Sequence, residues 1–305
     1  MLLLLTFALG ALLSRVSLCA VAGMQQAVCH GNFTGLERLI LAACGAGLSL
    51  LLLAGLLPGQ VRLPNDMHLH MRLLAGAVLL GVGAMLNGGC YLGSVLYLGT
   101  GNLNFLFTLL GLGLGLRGAA VWSPLPFAAT PVLRMAMGYL WVAGLAAFVI
   151  LILVLIWRRR GKGQWLALCA GLLAGLVYAR HPDWSYGSAL EALARGHTAL
   201  THWRAHISAF TLFAGAIGAA IVGGRFCLRW PTPLRAVRCL GGGAIMGCGA
   251  ALVPGGNDSL LLWAIPGLTA YGAVAFGLML GVMAVGFGIS ARWPRAADGR
   301  QSPAQ

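Results

Sequence analysis

Two cysteines stand where apolar stretches are interrupted. Cys90 lies in "LNGGCYLGSVLYLGTGNLNF" directly after Gly88 and Gly89, and Cys19 lies in "SRVSLCAVAG". A neutral thiol is a weak S–H donor and a polarisable contact. It suits a sulfur-bearing anion better than chloride or phosphate. Glycines beside it let backbone approach a ligand with no side chain in the way. The break recurs as "VPGGNDSLLLW", where Gly255 and Gly256 precede Asn257 and Asp258. Asp258 is the sole acid of the repeated regions, a functional candidate inside a membrane, either as a helix cap or as a proton acceptor. A helix that starts at such a break aims unsatisfied N–H groups and its positive dipole end at whatever sits there. Two such ends facing each other make an anion site without a buried Lys or Arg. No Lys or Arg lies between Leu73 and Leu116 or between Cys239 and Arg292.

The other six of the eight cysteines point elsewhere. Cys44 and Cys169 fall mid-run and read as small core hydrophobes. Cys29 precedes His30 with no further ligand nearby. Cys248 lies nine residues before Asn257 and reads as helix packing or as a second thiol near the break. The absence of C-x-x-C argues against a thioredoxin-type pair or a zinc ribbon. Two histidines, His202 and His206, share a helical spacing, with His197 upstream, but no Cys or carboxylate completes a metal site. No metal and no cofactor is assigned. Two other classes were weighed against a transporter. A membrane thiol redox protein would use Cys19 and Cys90 as a dithiol. A soft-metal transporter would draw on ten Met and eight Cys, yet no Met-x-x-Met occurs.

These residues must be positioned by elements of a membrane protein. The 305 residues are 59% hydrophobic and 9% charged, with a mean hydropathy of +0.88. Soluble domains carry about 25% charged residues. Apolar runs separated by Gly and Pro predict an all-α polytopic protein of eight or nine spans in the lipid bilayer. One transport domain is expected over 1–290, with halves of about 1–157 and 164–290 and a short disordered tail at 291–305. The net charge of +14 comes from arginines in short loops. That is the positive-inside pattern, and no basic stripe with interleaved aromatics points to nucleic acid. Loops around Arg158–Lys162 and Arg225–Arg238 and the tail are therefore expected in the cytoplasm, and loop 181–203 outside, with Trp184, Tyr186 and Trp203 at headgroup level. The N-terminal apolar run lacks a basic n-region and a cleavage site, so it reads as a retained first helix.

The two breaks belong to a repeat. "RLLAGAVLLGVGAMLNGGC" from Arg72 and "RCLGGGAIMGCGAALVPGGN" from Arg238 match at an offset of 166, including Gly76 with Gly242 and Gly83 with Gly249. One inserted residue then aligns Gly88-Gly89 with Gly255-Gly256, and Cys90 with Asn257. Small residues every fourth position serve close helix packing. Packing does not explain the glycine pairs at the breaks. Five apolar runs lie between Cys90 and Asn257, which turns the second half upside down relative to the first. Inverted repeats with a binding site at discontinuous helices are a transporter architecture. The expected fold is an inverted-repeat helical transporter with two re-entrant hairpins.

"GGCYLGSVLYLGTGNL" resembles the Gly-Gly-Cys…Gly-Asn-Leu signature of the YeeE/YedE family of bacterial sulfur transporters. "SRVSLCAVAGMQQAV" resembles that family's first cysteine motif, and "RCLGGGAIMGCGAALVPGG" its second-half repeat. The resemblance implies import of thiosulfate across the bacterial inner membrane through an hourglass-like fold. It also implies path cysteines that pass the anion on by S–H···S hydrogen bonds, matched here by Cys19 and Cys90. The family's third cysteine falls where this chain has Asn257, whose amide can donate to an anion but is no thiol. A small cytoplasmic sulfur-carrier protein of the TusA type is the implied recipient.

Overall fold

A chain this apolar satisfies its backbone in lipid only by closing its hydrogen bonds within helices. The computed structural model describes residues 1–57, 59–120, 139–159, 161–196, 203–253 and 255–292. Its elements run α1 (Leu2–Val16), α2 (Ala20–His30), α3 (Thr34–Leu56), α4 (Met71–Asn87), α5 (Tyr91–Gly99) and α6 (Asn104–Ala120). They continue with α7 (Tyr139–Arg158), α8 (Lys162–Arg180), a 3-10 turn (Pro182–Trp184), α9 (Tyr186–Ala194), α10 (Trp203–Val222) and α11 (Pro233–Leu252). The last two are α12 (Gly256–Ala264), which opens as one α-turn and continues as a π-turn, and α13 (Ala270–Arg292). Among the described residues seven helices are long and apolar enough to cross a membrane, or eight if the bent pair α11–α12 is one span. The expected disordered tail lies outside the described residues from 293 onward, as do His197 and His202.

Lipid offers helices no hydrophobic reason to associate, so close backbone contact has to hold them together. Glycines supply it. On α3 and α8, Gly45 meets the Leu168 carbonyl and Gly171 and Gly175 meet the carbonyls of Ala42 and Ala46. On α6 and α11, Gly111 and Gly115 interleave with Gly243 and Gly247, each against the other helix's main chain. α1 lies along α10 through Gly10 and Gly215, and Thr6 and Thr211 share a 2.6 Å hydrogen bond.

The crossing of α4 and α11 is reciprocal. A methyl on Gly76 would come within 2.9 Å of the Gly249 carbonyl, and one on Gly249 within 2.7 Å of the Gly76 carbonyl. Gly83 and Gly242 stand in the same relation, at 2.8 Å in both directions. Gly83→Leu therefore has to push α11 away. Overpacking costs about 1–3 kcal/mol where neighbours can yield, and main chain yields least. We expect a lower melting temperature and yield for Gly83→Leu. Gly281→Leu on α13, where an added methyl meets no atom within 4 Å, is the control.

Two ends of the bundle can be told apart by their contacts. One gathers Leu2, Arg62, Arg180 and Trp203 around a common cavity. The other holds the Arg159–Glu37 ion pair at 3.1 Å. Of the three aromatic residues expected at headgroup level, Trp184 and Tyr186 are buried, at 4% and 3% exposed, and Trp203 stands out, at 51%. Cys169 is exposed on α8 rather than a core residue, whereas Cys44 is buried on α3.

Candidate functional site

Three helix breaks converge on Cys90. The first follows α1, where Ser17 takes a left-handed conformation (φ 56°) and the chain restarts at Ala20 with Cys19 as N-cap. The second follows α4. Gly88 (φ 74°) closes a Schellman motif, its N–H donating to Met85 O at 3.2 Å while Gly89 N–H donates to Ala84 O at 3.2 Å. Only glycine takes this φ without strain. The chain restarts at Tyr91 with Cys90 as N-cap, and Met71–Gly99 forms one apolar stretch of 29 residues across the break. The third break joins α11 to α12 with a bend of 49°, and Gly255 and Gly256 both have positive φ.

The breaks touch through named atoms. Cys19 and Cys90 are both buried, and Cys90 Sγ lies 3.9 Å from Cys19 Sγ. Ala20 N–H, the first of α2, donates to Cys90 Sγ at 3.3 Å. Tyr91 N–H, the first of α5, donates to Asn257 Oδ1 at 3.1 Å. The two helix starts are thus not bare. Each has its leading donor satisfied by a side chain from a different break. Gly256 lies against the Tyr91 ring, where a methyl would be 3.0 Å from Cζ. The Gly255–Gly256 turn thus packs against the residue that follows Cys90.

Asp258 is buried in the first turn of α12, whose N-cap is Gly255. Asp258 Oδ1 and the Tyr91 hydroxyl are both buried with no hydrogen-bond partner among the described residues. Native cores rarely leave such atoms unmet, and those that remain mark functional or hydrated positions. Cys248 does not join the cysteine pair. It faces α6, with its thiol 3.5 Å from Gly115 O, in the packed α6–α11 seam. Among the described residues no three His, Cys, Asp or Glu side chains gather as a metal site.

Several residues that hold the site were not singled out from sequence. Asn87 is the largest omission. Its amide donates to Gly89 O at 2.6 Å, and its carbonyl accepts from Thr108 at 2.6 Å, fixing the turn before Cys90. Cys239 reaches the same point, its thiol 3.9 Å from Asn87 O. Tyr186 donates to Tyr91 O at 2.9 Å. Gly93, one turn into α5, leaves room for Cys19, since a methyl there would stand 2.5 Å from Cys19 Sγ and 3.7 Å from Cys90 Sγ. An Asn directly before Gly-Gly is a turn signal that could have found Asn87. Nothing in the sequence marks Gly93 off from its many fellow glycines.

The arrangement is chemically simple. Among the described residues it has two thiols, an amide and backbone N–H groups, with the Asp258 carboxyl in the first turn of α12. Such a set suits a small polarisable anion. A protein-family model described as sulphur transport matches residues 15–285. No curated protein matches the chain. The matched span takes in Cys19, Cys90 and all three breaks, and with its apolar helices the chain belongs to the sulphur transport family, the YeeE/YedE family of membrane transporters.

Proposed function

We propose that this protein imports a small sulfur-containing anion, thiosulfate first among them, across the bacterial inner membrane. The path runs through Cys19 and Cys90, past Gly88, Gly89, Gly255 and Gly256, with Asn257 in the place of a third thiol. The observation that carries the reading is the meeting of the two cysteine sulfurs, 3.9 Å apart, at converging helix breaks. Support for two halves related by a pseudo-two-fold axis comes from the α4–α11 crossing. At the offset of 166, Gly76 corresponds to Gly242 and Gly83 to Gly249, so the Gly76–Gly249 contact maps onto the Gly242–Gly83 contact. Such mutual contact is what a two-fold axis imposes. Basic segments around Arg158–Lys162 and Arg225–Arg238 set the cytoplasmic side, and a TusA-like carrier protein receives the sulfur there.

Uptake of isotopically labelled thiosulfate by cells expressing the chain is expected to exceed that of vector controls, and unlabelled sulfate is expected to compete poorly. Uptake equal to the control, with the protein present in the membrane, would refute the substrate assignment. The same thiol adjacency is what a dithiol redox centre would use. A dithiol fails equally with Ser at position 19 or 90, whereas a relay of hydrogen-bond donors keeps part of its rate with Ser at either.

A further inference from the structure

A cavity of about 430 Å³ opens at the end of the bundle that holds Leu2 and Trp203, away from the Arg159–Glu37 pair. Three arginines from three separate segments line it: Arg62 from the α3–α4 connection, Arg180 at the end of α8 and Arg204 at the start of α10. Arg62 is fixed by its main chain, with its N–H donating to Ala179 O at 2.9 Å and its carbonyl accepting from Trp263 Nε1 at 3.4 Å. Among the described residues none of the three guanidinium groups has an ion-pair partner. Arg204 only lies over the Trp203 ring, 5.6 Å from its centre. Asp183 is the one carboxylate in the lining, and it pairs with none of them.

Like charges brought together in a recess repel one another unless an anion joins them. His181 registers the field. Burial first, then Arg204, Arg180 and Arg62, hold its imidazole below the ordinary value, so it stays neutral at pH 7. Packed aromatic rings link its lining to the interior. Trp184 in its lining is buried with Nε1 unpartnered among the described residues, and the Tyr178 ring lies 5.3 Å from it with its own hydroxyl unpartnered. Trp263 of α12 stacks on Tyr178 at 6.0 Å, in the same short helix as Asp258.

We propose that this cavity is a capture vestibule for a doubly charged oxyanion, which Arg62, Arg180 and Arg204 bind before it reaches Cys90. Guanidinium forks match oxyanion edges and read charge and oxygen geometry, not sulfur. The vestibule therefore takes sulfate as readily as thiosulfate and leaves discrimination to the thiols. That the physiological ligand contains sulfur rests on the transport reading above; the charge of the site does not.

The test is titration calorimetry with thiosulfate and with sulfate on the full chain in phosphatidylcholine nanodiscs. Wild type and Cys90→Ala are both expected to bind both anions. The triple variant Arg62→Gln, Arg180→Gln, Arg204→Gln is expected to bind at least about tenfold more weakly, as the loss of charge-assisted hydrogen bonds implies. Unchanged affinity in that variant overturns the proposal. Wild-type affinity should also fall steeply with added sodium chloride, a readout that needs no variant, and a flat salt response overturns the proposal as well. Phosphatidylglycerol in the disc should leave thiosulfate affinity unaltered. If it abolishes binding, the cluster serves lipid headgroups and the proposal fails. Oxyanion binding here without any cellular thiosulfate uptake would sink the transport reading and leave the vestibule standing. Normal uptake with unchanged KM in the triple variant would do the reverse.

Discussion

Cys90→Ala is expected to lose most thiosulfate uptake, about tenfold to a hundredfold. A hydrogen bond to a charged group contributes about 1.5–3 kcal/mol, and each 1.4 kcal/mol is a factor of ten. On the proposed path the thiol is the group that an anion meets where three breaks converge, and Ala offers no donor. Cys90→Ser keeps a donor and loses the soft contact, so it retains a measurable fraction of the rate. There is a structural side to the change. Cys90 Sγ accepts Ala20 N–H at 3.3 Å, so Ala also strands that donor. The melting temperature of Cys90→Ala in detergent separates the two effects. A near-normal melt with lost uptake assigns the loss to the thiol. Wild-type uptake by Cys90→Ala would leave the Gly-Gly-Cys break as a packing device only. Cys44→Ala, buried on α3 away from the breaks, should transport normally.

Gly93→Ala should be nearly as damaging, though it touches no substrate donor. Its methyl would sit 2.5 Å from Cys19 Sγ, a distance that no relaxed structure keeps. Either Cys19 swings away from Cys90 or α5 moves off α2, and both separate the two thiols. The rescue is specific. Cys19→Ala removes the sulfur that the methyl strikes, so the double variant should regain the wild-type melting temperature without regaining uptake. Non-additivity of that kind is what contacting residues show. Gly113→Ala on α6, where a methyl meets nothing within 4 Å, should change neither. If Gly93→Ala transports at the wild-type rate, the close fit of α5 against Cys19 has no bearing on transport.

The breaks were legible because glycine pairs and a lone cysteine are conspicuous in an apolar run, and because the second copy repeats the spacing. Gly76, Gly83, Gly242 and Gly249 read as helix-packing positions, and the structure pairs Gly76 with Gly249 and Gly83 with Gly242. The reading failed where position depends on the third dimension. Trp184 and Tyr186 looked like interfacial anchors because aromatic residues beside charged ones commonly are. Tyr186 is buried because α9 packs on α6 and α10, with its hydroxyl bonded to Tyr91 O and its ring on Phe213, and Trp184 is buried against Tyr178 of α8. Cys248 looked close to the break by residue count, yet its helix face turns it to α6. Arg62, Arg180 and Arg204 carry no shared motif, since each comes from a different segment and only the fold brings them to one cavity.

The plugged helix starts have a consequence for turnover. Ala20 N–H rests on Cys90, and Tyr91 N–H on Asn257. On the proposed path an anion therefore trades places with a thiol or an amide, and the side chain returns when it leaves. Such an exchange releases little net free energy, because one hydrogen bond replaces another. A conduit that must pass its cargo onward benefits from that near-balance, since a ligand held too tightly would stall.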